Sequence, residues 1–125
     1  ALALVLSQQP RWPLEQSAAF FMDYTAWRHA YVLRFLAGCV ARKVGDAQQL
    51  RTEIDGLIAR LGKLQQVGGG WTYFLSSELS QSDAKQPAAG PSISFVTAAV
   101  IAALRATPCI NSVEPLISAV AQALW

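Results

Sequence analysis

The sequence predicts an all-α fold built from antiparallel helical pairs, and three observations predict it. Apolar residues recur at helical spacing in four segments, these segments alternate between apolar on all sides and apolar on one side, and one long loop divides them into two pairs. The 125 residues are 53% hydrophobic and 14% charged, which excludes a disordered tail, and the net charge of +2 excludes the strongly basic footprint of a nucleic-acid binder. The length allows one domain or less.

The chain opens in an apolar run, residues 1–6, and closes on Trp125 at the end of an apolar-periodic stretch, so it reads as a fragment. The absence of a signal segment therefore says nothing of export, and the compartment stays open. The longest strongly apolar run, residues 93–104, is about half the ~20 residues that a membrane span needs, so it reads as a core helix.

Residues 26–43 form the first predicted helix, apolar around nearly its whole circumference, and such a helix is enclosed by protein. Gly45 and Asp46 make a tight turn, with Gln49 at capping-box spacing from Asp46. The second helix, residues 47–66, sets Leu50, Ile54, Leu57, Ile58, Leu61 and Leu64 on one stripe and most of its charges elsewhere. A loop over 67–92 opens with three glycines and carries Pro87, Gly90 and Pro91. The third helix, 93–106, is again apolar on all sides, with Thr97 able to return its hydroxyl to a carbonyl one turn earlier. After a break at Pro108 the fourth is one-sided through Val113, Leu116, Ile117, Val120 and Leu124, with Ser112 as N-cap and Pro115 in the first turn.

This order is an internal repeat of pattern. Tyr31 aligns with Phe95, Leu36 with Val100 and Val40 with Leu104; with one residue removed from the connection, Leu50 aligns with Val113 and Ile54 with Ile117. Its meaning is an inner layer of enclosed helices wrapped by an outer layer with polar faces. Two pairs alone leave apolar surface at both ends, so the chain is expected to pack against further repeats of its own and to self-associate without them.

Two stretches carry a resemblance. Gln65-Gln66-Val67-Gly68-Gly69-Gly70-Trp71-Thr72-Tyr73-Phe74, followed by Ser92-Ile93-Ser94-Phe95-Val96-Thr97-Ala98-Ala99, resembles the repeat junction of the prenyltransferase and squalene oxidase or terpene cyclase family. There an outer helix ends in Gln, a Gly-Gly-Trp or Gly-Gly-Phe turn follows, and the next inner helix begins near Ser-x-x-Thr-Ala. The resemblance covers residues 27–125 and implies a partial α/α toroid of about two helical pairs, inner and outer. Glycine also suits a left-handed cap at the helix end, and the aromatic after it can pin the loop to the barrel end. Trp71 and Tyr73 are read as such anchors, with a ligand-facing wall as the alternative.

The family's three chemistries each need residues that this stretch does not show. Glu15, Asp23, Asp46, Glu53, Asp55, Glu78, Asp83 and Glu114 form no Asp-rich acid motif; no Asp-x-Cys with a matching His forms a zinc set; neither Cys39 nor Cys109 is followed by Gly-Glu-Gln. No catalytic residue, metal or cofactor is assigned, and the cysteines read as structural thiols, whose pairing the sequence neither promises nor forbids. Trp27, Tyr31, Arg34 and Gly38 fall on one face of the first helix and could line a cavity for an anionic or aromatic ligand; the alternative is a buried Arg34 paired with a neighbouring repeat. His29, the lone histidine, reads as a surface or capping residue.

The expected function is thus a non-catalytic binding or scaffold module within a larger protein, its partner a hydrophobic small molecule or a protein, with neither nucleic acid nor a membrane span. Trp27, Tyr31, Arg34, Trp71 and Tyr73 are its candidate lining residues. The alternative is a wall segment of an isoprenoid enzyme whose catalytic residues lie elsewhere. In that case aromatic faces would stabilise carbocations.

Overall fold

The computed structural model describes residues 1–8, 24–72, 93–108 and 110–123. These residues form five helices and contain no strand: α1 (Leu2–Gln8), α2 (Thr25–Ala41), α3 (Ala47–Leu64), α4 (Ser94–Arg105) and α5 (Ile110–Ala123). None of these helices is long and apolar enough to cross a membrane.

Helix α1, which the sequence showed only as an apolar run, lays Leu2, Val5 and Leu6 against the core. Helix α2 stops at Ala41, two residues before the expected end, because the chain enters a Schellman motif. Lys43 takes a left-handed φ of 55°, its N–H donates to the Val40 carbonyl at 3.1 Å, and the Val44 N–H donates to the Cys39 carbonyl at 2.9 Å. Gly45, at φ 83°, completes the reversal. Asp46 then caps α3, its carboxylate accepting from the Gln49 N–H at 2.8 Å. The six expected stripe residues of α3 are all buried, and α3 packs against α2.

The end of α3 differs from the expectation that glycine caps it. The helix stops at Leu64 and Gln65 is extended, at φ −64° and ψ 131°, so the left-handed residue comes later, at Gly69, φ 89°. That position serves a tight turn: the Gly69 N–H donates to the Gln66 carbonyl and the Gln66 N–H to the Gly70 carbonyl, both at 2.8 Å. A side chain on Gly69 would collide with the Ala119 carbonyl of α5, so close approach as well as conformation calls for glycine. Gln65 locks the same junction, donating through Nε2 to the carbonyls of Gly69 at 2.7 Å and Leu116 at 2.9 Å.

Thr97 also departs from its expected role. Its hydroxyl leaves its own helix and meets the backbone of Trp71, while the Ile93 N–H donates to the Trp71 carbonyl at 2.8 Å. Helix α4 therefore begins beside the end of α3 and packs along α2, so α2 and α4 run the same way and α3 runs against them. Helix α5 touches α3 and α4. It starts at Ile110 rather than at Val113, which puts Ser112 and Pro115 inside the helix. The turn through Thr107, whose hydroxyl donates to the Leu104 carbonyl at 2.8 Å, and Pro108 sets this start sooner than a Ser112 cap would.

The core lies between α2, α3 and α4, where Leu33, Leu36, Ile54, Leu57, Val100 and Leu104 have no exposed surface. Three of the five aligned pairs share their environments: Leu36 and Val100 are enclosed, Leu50 and Val113 are buried, and Tyr31 and Phe95 both face solvent, whereas Val40 and Ile117 are half-buried where their counterparts Leu104 and Ile54 are enclosed.

Candidate functional site

Helices expected to be enclosed all round have one open side. Tyr31 is 59% exposed and Phe35 39% on α2, Phe95 is 49% exposed on α4, and Arg34 is exposed between the two α2 aromatics. The reason is packing: α2 meets α3 and α4 on its other sides, and no described element covers this one. So the 3.6-residue period that puts Leu33, Leu36 and Ala37 inside puts Tyr31, Arg34 and Phe35 outside.

Trp27 anchors the aromatic end of the face. Its ring stacks on Tyr31 with centroids 6.3 Å apart and packs tilted against Phe95 at 5.4 Å, with Tyr24 at 6.3 Å on the other side. The sequence-predicted Trp27, Tyr31 and Arg34 thus share one face. Arg34 is open to solvent rather than a buried ion-pair partner. Trp71 lies apart from them, wholly buried, with its indole Nε1 donating to the Leu61 carbonyl at 2.8 Å, so its side chain pins the junction to α3. Tyr73 and Cys109 lie outside the described residues.

Three residues of the face escape the sequence reading. Phe35 follows Tyr31 by one helical turn, and Phe95 occupies the position aligned with Tyr31 in the second repeat, so the signal for both was present. Arg42 joins them by folding back along α2: a Cβ on Gly38 would stand 3.2 Å from its Nη1, so the glycine leaves the guanidinium room. From residue 24 to 44, and from 93 to 108, the chain has no Asp or Glu, so the ionised side chains of this face are all cations.

His29 is not a surface residue. It is fully buried, neither ring nitrogen has a hydrogen-bond partner, and its pKa is lowered from 6.5 to about 4, chiefly by burial and further by the charges of Arg60 and Arg28. An imidazole so placed is neutral at pH 7 and out of reach of a ligand on the open face. Cys39 is a free, buried thiol, and among the described residues no group of three or more His, Cys, Asp or Glu could hold a metal ion.

A half-open recess of about 220 Å³ lies between the end of α4 and α5, lined by Leu104, Arg105, Thr107, Val113, Glu114 and Ile117. Its volume is below the roughly 300 Å³ at which ligand pockets usually begin, so the aromatic and cationic face is the stronger candidate. The chain matches no family model, no curated protein and no solved structure. What fold and face define is a protein whose regular structure, among the described residues, is all α-helix, with an open side of aromatic and guanidinium groups.

Proposed function

We propose that this chain is a non-catalytic binding and scaffold module, part of an α/α-toroid repeat domain, whose open α2 and α4 face is its ligand side. One observation carries the reading: Tyr31 and Phe95, equivalent in the two repeats, are exposed together on the side away from α3. Large aromatics left open on one face cost solvation that a folding core would recover, and such patches mark binding surfaces. The pairing of like-directed α2 and α4 beneath α3 and α5 supports a repeat of inner and outer helices. The resemblance at residues 65–74 and 92–99 supports the toroid.

The dye 1-anilinonaphthalene-8-sulfonate, an aromatic anion, tests the face directly. Its fluorescence should rise on saturable binding, and Tyr31→Ala and Arg34→Ala should weaken that binding while Thr52→Ala on α3 leaves it unchanged, all variants melting cooperatively. Equal binding by all of them would remove the face as the ligand side.

A wall of an isoprenoid enzyme is the second reading, favoured by the ring cluster of Trp27, Tyr31 and Phe95, whose π faces attract cations. Because that reading places the catalytic residues outside this stretch, the test incubates the protein from the whole reading frame with squalene and with farnesyl diphosphate, followed by mass spectrometry: conversion of either establishes the enzyme, and unchanged substrate keeps the binding module.

A further inference from the structure

We infer that the α2 and α4 face docks an acidic amphipathic helix of another protein, its carboxylates held by Arg34 and Arg42 and its apolar side by Tyr31, Phe35 and Phe95. This rests on the reading of that face as the binding side and adds the chemistry of the partner.

Charge makes the first step. Arg34 and Arg42 are exposed, and no acidic residue lies on α2 or α4 to neutralise them. Guanidinium groups fork onto carboxylates in two parallel hydrogen bonds, so an open pair of them selects a ligand bearing carboxylates. Spacing makes the second. Arg42 reaches back to Gly38, and Gly38 stands one turn beyond Arg34, so both cations belong to one stripe along α2. Carboxylates spaced along one stripe of a partner helix can meet both.

Shape makes the third. The aromatics form one apolar end of the face, and beyond Phe95 helix α4 exposes Ala98 and Ala102, whose small side chains let a partner backbone come close. The 17 residues of α2 give a track of about 25 Å, the length of a helix of four to five turns.

A second copy of the chain does not supply this partner from its described outer faces. Helix α3 exposes Arg51 and Lys63 beside Asp55, and Glu114 is the one charged residue of α5. Among the described residues no outer face is acidic and apolar together, and a different chain is the occupant assigned here.

The probe is a labelled amphipathic peptide of about 18 residues, leucines on one face and glutamates on the other. A control peptide has lysine in place of each glutamate. Fluorescence anisotropy with the full chain should show saturable binding of the glutamate peptide, weakened by added salt, and no binding of the lysine peptide. The double substitution of Arg34 and Arg42 to Ala should weaken binding at least about tenfold, and Arg51→Ala on α3 should leave it unchanged, with the melting temperature of each variant as the check on folding.

The inference fails if the glutamate peptide does not bind, if the lysine peptide binds equally, or if loss of both arginines changes nothing. It also fails if phosphatidylserine vesicles bind and the peptide does not, or if the chain dimerises and Tyr31→Glu breaks the dimer. Dye binding that depends on Tyr31 without peptide binding refutes this partner and leaves the proposed function standing; loss of both refutes both. The salt and lysine-peptide arms need no variant, so a variant that fails to fold leaves the decision intact.

Discussion

The backbone of Trp71 and the hydroxyl of Thr97 hold each other in both directions. The Trp71 N–H donates to Thr97 Oγ1 at 3.0 Å, and that hydroxyl donates back to the Trp71 carbonyl at 3.3 Å, closing a span of 26 residues. The same carbonyl accepts from the Ile93 N–H, and the indole N–H reaches Leu61. One residue thus joins the end of α3 to the start of α4, which fixes where Phe95 meets Trp27.

Replacing Thr97 by Val keeps the shape and removes the hydroxyl, leaving the Trp71 amide without its acceptor. The expected loss is about 1–3 kcal/mol, the cost of an unsatisfied buried donor. Thr97→Ser, which retains the hydroxyl, should lose clearly less. Urea unfolding followed by circular dichroism reads the difference, and a Val variant as stable as the parent would show that the contact contributes nothing.

Glycine substitutions at two positions should have opposite signs. Gly69→Ala forces a methyl against the Ala119 carbonyl at a left-handed φ of 89°, so it should destabilise by about 2 kcal/mol or more. Gly56→Ala in α3 meets nothing within 4 Å and should stabilise by about 1 kcal/mol through helix propensity. Melting temperatures of the two variants moving in the same direction would contradict the turn geometry.

What the sequence shows of this fold is what local chemistry decides. The α3 stripe from Leu50 to Leu64 and the Asp46 cap depend on spacing within one segment, and both are as expected. The partner of Thr97 is 26 residues away, and His29 is buried by elements outside its own helix, so neither follows from local pattern. The same limit shapes the candidate site. Helical period alone groups Trp27, Tyr31 and Arg34, but a helix apolar on all sides gives no sign of which side its neighbours leave open. Phe35 and Phe95 stand at legible positions, one turn from Tyr31 and aligned with it, but their exposure and the backward fold of Arg42 onto Gly38 emerge only in three dimensions.

Lys43 carries a strain that glycine would relieve. It occupies the left-handed position of the Schellman motif at φ 55°, where a residue with a Cβ costs about 1 kcal/mol relative to glycine. Lys43→Gly should raise stability by roughly that amount, an upward shift of several degrees in melting temperature for a domain of this size. Because the side chain is exposed, no packing is lost against the gain. A fall in melting temperature would mean that the lysine stabilises the chain in a way the backbone does not reveal.

His29 should make the fold sensitive to acid. In the unfolded chain its imidazole titrates near 6.5, whereas in the folded chain burial, Arg60 and Arg28 hold it unprotonated down to about pH 4. Between those values the unfolded state binds more protons, so acid favours unfolding. The stability is complete above about pH 6.5, falls by up to about 1.4 kcal/mol per unit as pH drops, and levels off below about pH 4, a total on the order of 3 kcal/mol. His29→Leu removes the titrating group and the two unpartnered nitrogens together, so its unfolding free energy should depend less on pH across this window. Urea denaturation at intervals from pH 7.5 to about 4 measures both slopes. The carboxylates contribute to both proteins alike, so the difference isolates His29. Parallel slopes would place its titration at the same pH in the folded and unfolded chains, and the buried neutral imidazole would have to be abandoned.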